Sequence, residues 1–307
     1  MSARGRQDFV GHVHLSIEEV YAGAQINNII CKANTEKGAW VEKACSNIEE
    51  WRAIFRSTYL QWAIAINGIH VAADRYSDPD WQKKHKSFYA TALRVDNTGE
   101  PKIVQIAEWD GNTAAKNHLM TQPRLVAYGL IDLAACFEEW VFALYRCYLK
   151  YHPDSLLRGP ENKDLKELWK KSKGNPDFSA EWNQRWTERV DGWQIKKGYE
   201  GLHNVFKALL NEAKLKKPKN IKHSNESTWA ESLRLVIVLR NLLIHGAEKV
   251  NKELEELSGK PHSLGFQFKA GDSLELKLLH LQKVELFADQ LLSAINLSLV
   301  EHSDAGK

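Results

Sequence analysis

Three polar residues interrupt one of the most apolar stretches of the chain. Within Leu239-Arg240-Asn241-Leu242-Leu243-Ile244-His245-Gly246, Arg240, Asn241 and His245 stand among leucines and an isoleucine. An arginine stays charged at any working pH and can grip an oxyanion through two N–H groups at once. A histidine titrates close to neutral pH and suits proton transfer. Burying either costs free energy unless partners meet it, so a helix carrying this sequence must open onto a cleft or an interface here. The competing reading is that Arg240 and His245 satisfy polar groups in the core or in a subunit contact. Asn241 and His245 are four apart and share a helix face, with Arg234 seven before Asn241 on the same stripe. Arg240 is turned by roughly 140° from His245 at about 100° per residue. The two can converge at a helix end, or across a two-fold axis where each subunit supplies one of them.

The element that must hold these residues starts near Thr228-x-x-Glu231, a capping-box pattern, and ends at Gly246, a common helix terminator. Upstream, residues 121–151 form the strongest expected helix, with Thr121 as cap and Pro123 in the first turn. Its apolar residues cover nearly the whole circumference, so it belongs at the centre of a core or between subunits. Other helices are expected over 15–35, 47–75, 163–172, 180–190, 199–214 and 281–300. Two segments read as β-hairpins: 93–109, with turn chemistry at Asp96-Asn97-Thr98-Gly99, and 263–279, where apolar residues alternate on both sides of Ala270-Gly271-Asp272. The expectation is a mainly α protein, a helical bundle with one or two small β-hairpin insertions. A soft boundary near residue 118 divides an N-terminal helical region, 1–118, from a helical domain over 119–307; the first is separate or packed into the same bundle.

The bulk numbers constrain without deciding. The chain has 307 residues, 43% hydrophobic and 26% charged, ordinary for a globular protein and against large-scale disorder. Net charge is +3, which names no partner. Four cysteines without a C-x-x-C pair fit buried thiols in a reducing compartment. No apolar run follows the basic N-terminal residues and no uninterrupted apolar stretch is long enough to span a bilayer. A cytoplasmic protein without a membrane anchor is therefore expected. Eleven tryptophans read as anchors of helix–helix contacts, with base stacking by one or two as the alternative. His12 and His14 share one side of an extended segment, but no carboxylate or cysteine nearby completes a metal site. No metal or cofactor is expected.

The segment Arg240-Asn241-x-x-x-His245, late in a helix, resembles the ribonuclease motif of the HEPN family: an arginine, a polar residue, and a histidine after four to six intervening residues. The helix with Phe137-Glu138-Glu139-Trp140-Val141 looks like the family's first helix, which often carries an acidic residue. The likeness covers roughly residues 119–300 and is sharp only over 239–246. It implies a helical bundle, a homodimer with a composite active site, and metal-independent endoribonuclease activity leaving 2′,3′-cyclic phosphate and 5′-hydroxyl ends. It further implies a toxin or antiviral-defence role, with an antitoxin or regulatory protein as partner. In these terms Arg240 stabilises charge on the phosphate, His245 moves protons, Asn241 orients His245 or the ribose, and Glu138 pairs with Arg240 or His245. Glu138 reads equally well as part of a solvent-facing strip. The loop carrying Lys216, Lys217, Lys219 and Lys222, together with Arg234, would attract RNA phosphates; its plainer reading is a solvated surface loop. The rival function is a non-catalytic helical dimer binding RNA, nucleotide or a protein partner.

Overall fold

The computed structural model describes residues 39–303, apart from 220, 223 and 261–263. The helix expected over 15–35 and the His12/His14 pair lie outside the described residues. The protein is mainly α, with one small antiparallel hairpin. In chain order the elements are α1 (Ala39–Ser77), α2 (Pro79–Lys84), β1 (Phe88–Val95), β2 (Pro101–Trp109), α3 (Gly111–Tyr151), α4 (Lys163–Ser172), α5 (Ser179–Gly198), α6 (Leu202–Glu212), α7 (Glu226–Ile244), α8 (Lys252–Ser258) and α9 (Leu278–Ser303).

The long helix α3 is the axis of the body. From Gly129 to Leu149 it buries residues on nearly every side, Leu130, Leu133, Phe137, Trp140, Leu144 and Tyr145 among them. An all-round apolar helix must be covered on all sides, and α1, α6, α7 and α9 supply that cover. Ring contacts mark the seams: Phe55 of α1 lies 4.6 Å from Phe137, Phe287 of α9 5.5 Å from it, and Phe206 of α6 6.1 Å from Trp140. The core positions of α1 (Val41, Ala44, Cys45, Ile48, Phe55) recur at helical spacing and form the stripe facing α3 and α9. Arg52 of α1 pairs with Asp289 of α9 at the edge of that seam.

Cover ends at Gly129. A Cβ there would come within 2.9 Å of Trp62 Cγ and 3.1 Å of Leu281 Cδ1, so glycine allows α1, α3 and the start of α9 to meet. Trp62 also donates from Nε1 to Asp132 at 2.9 Å. Beyond this junction α1 and α3 continue as a two-helix arm, about 22 Å long at ~1.5 Å per residue. Its tip carries α2 and the β1–β2 hairpin. Tyr76, Trp81 and Phe88 stack there, with Tyr76 and Phe88 4.4 Å apart and Trp81 and Phe88 4.9 Å apart. Gly111 is required at the turn into α3, because a Cβ would lie 2.4 Å from the Tyr76 carbonyl oxygen.

The hairpin expected over 93–109 is present and longer, running from Phe88 paired with Trp109 to Val95 paired with Pro101. Its turn is held by Asp96, whose Oδ1 accepts from Thr98 N–H at 2.8 Å and Glu100 N–H at 3.1 Å while Oδ2 pairs with Lys102. These bonds hold its carboxyl well below the usual carboxylate range, the Lys102 contact foremost.

Three expectations are corrected. α3 begins ten residues before Thr121, with Asp110 as N-cap accepting from Thr113 N–H at 2.7 Å. Pro123 therefore sits inside the helix, where it leaves the Leu119 carbonyl without its usual donor. Thr121 instead donates to the His118 carbonyl at 2.7 Å. The boundary near 118 falls within this continuous helix, and α1 of the N-terminal region packs along α3 and α9. The hairpin expected over 263–279 does not form between its own halves: no strand lies in 264–279. Leu274 N–H donates to the Glu248 carbonyl at 2.8 Å and Val250 N–H to that of Asp272 at 2.9 Å, while Phe268 N–H donates to Ser258 Oγ at 3.1 Å. The segment's partners are the backbone of the 248–250 linker and the Ser258 hydroxyl of α8, which its own period-two pattern could not reveal.

Candidate functional site

α7 is buried along its first four turns through Trp229, Ala230, Leu233, Leu235, Val236 and Leu239. It is capped one turn earlier than Thr228-x-x-Glu231 predicts. Asn225 Oδ1 accepts from Thr228 N–H at 3.0 Å, and Thr228 Oγ1 accepts from Asn225 N–H at 2.8 Å. Glu231 instead pairs with Lys260 at 2.6 Å, which with neighbouring cations lowers its pKa.

The last turn of α7 emerges from the body. Arg240 is half-buried, while Asn241, Ile244, His245 and Gly246 are exposed. His245 is the C-cap residue and Gly246 adopts φ 68°. Gly246 N–H donates to the Leu243 carbonyl at 3.1 Å and Ala247 N–H to that of Leu242 at 2.9 Å, the paired bonds of a Schellman ending. Gly246 is needed for its left-handed backbone, since a Cβ would meet nothing within 4 Å. This geometry stops the helix at His245 and leaves its ring in solvent. Arg240 Nη1 donates to Asn241 Oδ1 at 3.0 Å. Within one chain Asn241 thus engages Arg240, and neither Arg240 nor His245 makes an ion pair with a described residue. Arg240 and His245 are five residues apart, about 7.5 Å along the axis at ~1.5 Å per residue, and point to different sides.

The chain leaving α7 bridges to 271–274, which leads into the start of α9 at the Trp62–Gly129 junction.

Other expected site residues are elsewhere. Glu138 is exposed on α3 and makes no hydrogen bond or ion pair with Arg240 or His245. Arg234 donates to Glu253 of α8 at 2.8 Å, on a half-exposed surface where such a pair adds little stability but holds the guanidinium. The lysine loop precedes α7, so the 19 residues of that helix separate it from His245 by about 27 Å at ~1.5 Å per residue. Its backbone is tied down: Lys216 N–H donates to Ser298 Oγ at 3.1 Å, Lys217 N–H to Glu226 at 2.6 Å and Lys219 N–H to Glu301 at 3.0 Å. Lys216, Lys219 and Lys222 are exposed. The expected site thus divides into two ends of one helix.

Sequence reasoning missed a second polar opening, a cleft between α1, α3 and α5 lined by Lys43, Arg146, Lys150, Trp182 and Trp186 among others. The available signal was spacing: Arg146 and Lys150, like Trp182 and Trp186, are four apart on one helix. Among the described residues no three His, Cys, Asp or Glu side chains gather as a metal-binding set, and no helix is long and apolar enough to cross a membrane. No family model matches the chain, nor does any curated protein or solved structure.

Proposed function

We propose that the protein is a metal-independent endoribonuclease of HEPN type, acting as a homodimer. The observation that carries this reading is the last turn of α7: a deeply buried helix ends with His245 exposed and Arg240 half-buried, neither engaged by a core group. That weighs against the view that they merely satisfy polar atoms of the core. In the reaction a ribose 2′-oxygen loses its proton and attacks the adjacent phosphorus, and the 5′-oxygen leaves and takes up a proton. The products are a 2′,3′-cyclic phosphate and a 5′-hydroxyl. His245 moves a proton in this sequence, and Arg240, held by Asn241, stabilises charge on the phosphate oxygens. Because the two side chains diverge on one helix, the α7 ends of two chains meeting about a two-fold axis would bring one chain's Arg240 toward the other's His245. The exposed Ile244 between them offers apolar contact for such a meeting. A toxin or phage-defence role in the cytoplasm, restrained by an antitoxin or regulatory protein, fits an enzyme whose substrate is cellular RNA.

The test is incubation of the purified chain with mixed cellular RNA in EDTA, beside Arg240→Ala and His245→Ala. Cleavage with cyclic-phosphate ends is expected from the parent, and a loss of roughly 10²–10⁴-fold from His245→Ala. An equally active His245→Ala variant would end the proposal.

A second reading draws on the arm, where Ile64, Val71, Met120, Leu93 and Ile103 are all more than half exposed. Apolar surface of this kind favours a partner-binding helical dimer without catalysis. RNA or partner binding that survives loss of both Arg240 and His245, with no cleavage, would support it.

A further inference from the structure

The cleft between α1, α3 and α5 encloses about 650 Å³, within the range of small-molecule sites. Its charge is one-sided. Lys43 of α1 and Arg146 and Lys150 of α3 line it, and no carboxylate does, although acidic and basic residues nearly balance over the chain. Lys43 and Lys150 are exposed and make no ion pair with a described residue. Both line the cleft together with Cys147, Lys43 from α1 and Lys150 from α3. Arg146 is fixed from the α5 side, donating to Asp191 at 2.7 Å and Gln194 at 2.8 Å. Lys43 and Lys150 are thus left without a counter-charge among the described residues, and an arriving anion would supply one.

The opposite wall is aromatic. Trp182 and Trp186 stack with ring centres 5.1 Å apart at 20°. Trp186 is buried at 9% exposure and Trp182 is half-buried, with Trp169 6.4 Å from it as a third ring, and Trp182 and Trp186 both line the cleft. Asn47 lines the same cavity, and its Oδ1 is buried without a partner. Burial pushes the Cys147 thiol up to about 11, which disfavours the thiolate form. An inorganic anion would fill a small part of this volume and leave the tryptophans unused.

We propose that the cleft binds a planar aromatic anion of mononucleotide size, its ring against Trp182 and its phosphate between Lys43 and Lys150. The ligand is a free small molecule or one unit of a nucleic-acid strand. None of its contacts belongs to the last turn of α7, so this site stands or falls apart from the ribonuclease reading.

The experiment is titration of the full chain with AMP, followed by calorimetry and by tryptophan fluorescence. Adenosine, inorganic phosphate and a twelve-nucleotide RNA are run beside it. Saturable AMP binding is expected, at least tenfold weaker for adenosine or phosphate alone. The double variant Lys43→Gln/Lys150→Gln changes only exposed side chains and should weaken AMP tenfold or more. Trp182→Leu should weaken AMP without affecting phosphate. Arg240→Ala should leave AMP binding unchanged. Tighter binding of the RNA than of AMP, lost in the same double variant, assigns the source to a strand; the reverse order assigns it to the free nucleotide. Absence of saturable binding by AMP and by the RNA overturns the site, as does binding that the double variant leaves intact.

Discussion

The same two helices lead different lives along their length. Below Gly129, α1 and α3 are wrapped by α6, α7 and α9 and bury Phe55, Phe137, Trp140 and Tyr145 almost completely. Above it they have each other and, at the tip, α2 and the hairpin. Ile66, Ile69 and Val126 pack inward, while Ile64, Val71, Met120 and Tyr128 face solvent at 51%, 60%, 66% and 57% exposure. Hydrophobic residues are plentiful in both parts, so hydrophobicity by itself did not decide burial; the supply of covering elements did. The body carries the stability, and the arm can open locally at lower free energy.

The sharpest way to break this comparison is to truncate matched side chains. Phe137→Ala removes a ring that touches Phe55 and Phe287 and should cost about 3–5 kcal/mol in urea denaturation; a loss under about 1 kcal/mol would mean the body is not the stability centre. At the junction, Gly129→Ala forces a methyl against Trp62 and Leu281 and should cost about 1–3 kcal/mol. An unchanged midpoint would show that the arm is not clamped there.

Acid should loosen the loop beside the junction before it touches the body. His280 stacks on Phe268 and lies beside Phe266; burial pushes its pKa down, a backbone hydrogen bond to Lys277 works against this, and the charges of Lys283 and Lys277 add to the lowering. A depressed histidine contributes stability above the ordinary imidazole range that is lost as pH falls through the folded value. Hydrogen exchange over 264–277 should therefore quicken as pH drops below neutrality, after correction for intrinsic exchange, and His280→Gln should flatten that dependence. The smallest effect belongs to the arm tip. Leu93 faces Ile103 across the hairpin, both largely exposed, and Leu93→Ser should shift global stability by no more than about 0.5 kcal/mol. A loss of several kcal/mol would show that the tip is part of the cooperative core.

Much of the fold was legible because helices and tight turns obey local rules. The repeating apolar stripes of α4, α6 and α9 marked those helices to within a few residues, while α5 runs eight residues past the expected end at 190. The Asp96-Asn97-Thr98-Gly99 turn announced β1–β2, since its hydrogen bonds are all made within five residues. The start of α3 was misread because Thr121-x-Pro123 imitates a helix beginning, whereas Asp110 caps the real one. The segment 263–279 was misread because alternation shows which residues face inward but not which backbone answers them.

The same division runs through the site. Residue types and helical period determined that a charged arginine, an asparagine and a histidine close an apolar helix, and that a glycine ends it. Only the tertiary structure decided that this turn emerges from the body, that Arg234 is held by Glu253, and that Glu138 makes no bond to the motif. It also gathered Lys43, Arg146 and Lys150 against Trp182 and Trp186. The reason is physical. Backbone hydrogen bonds within a helix reach four residues, whereas packing joins residues more than a hundred apart, and a sequence states the first directly and the second only through the whole core.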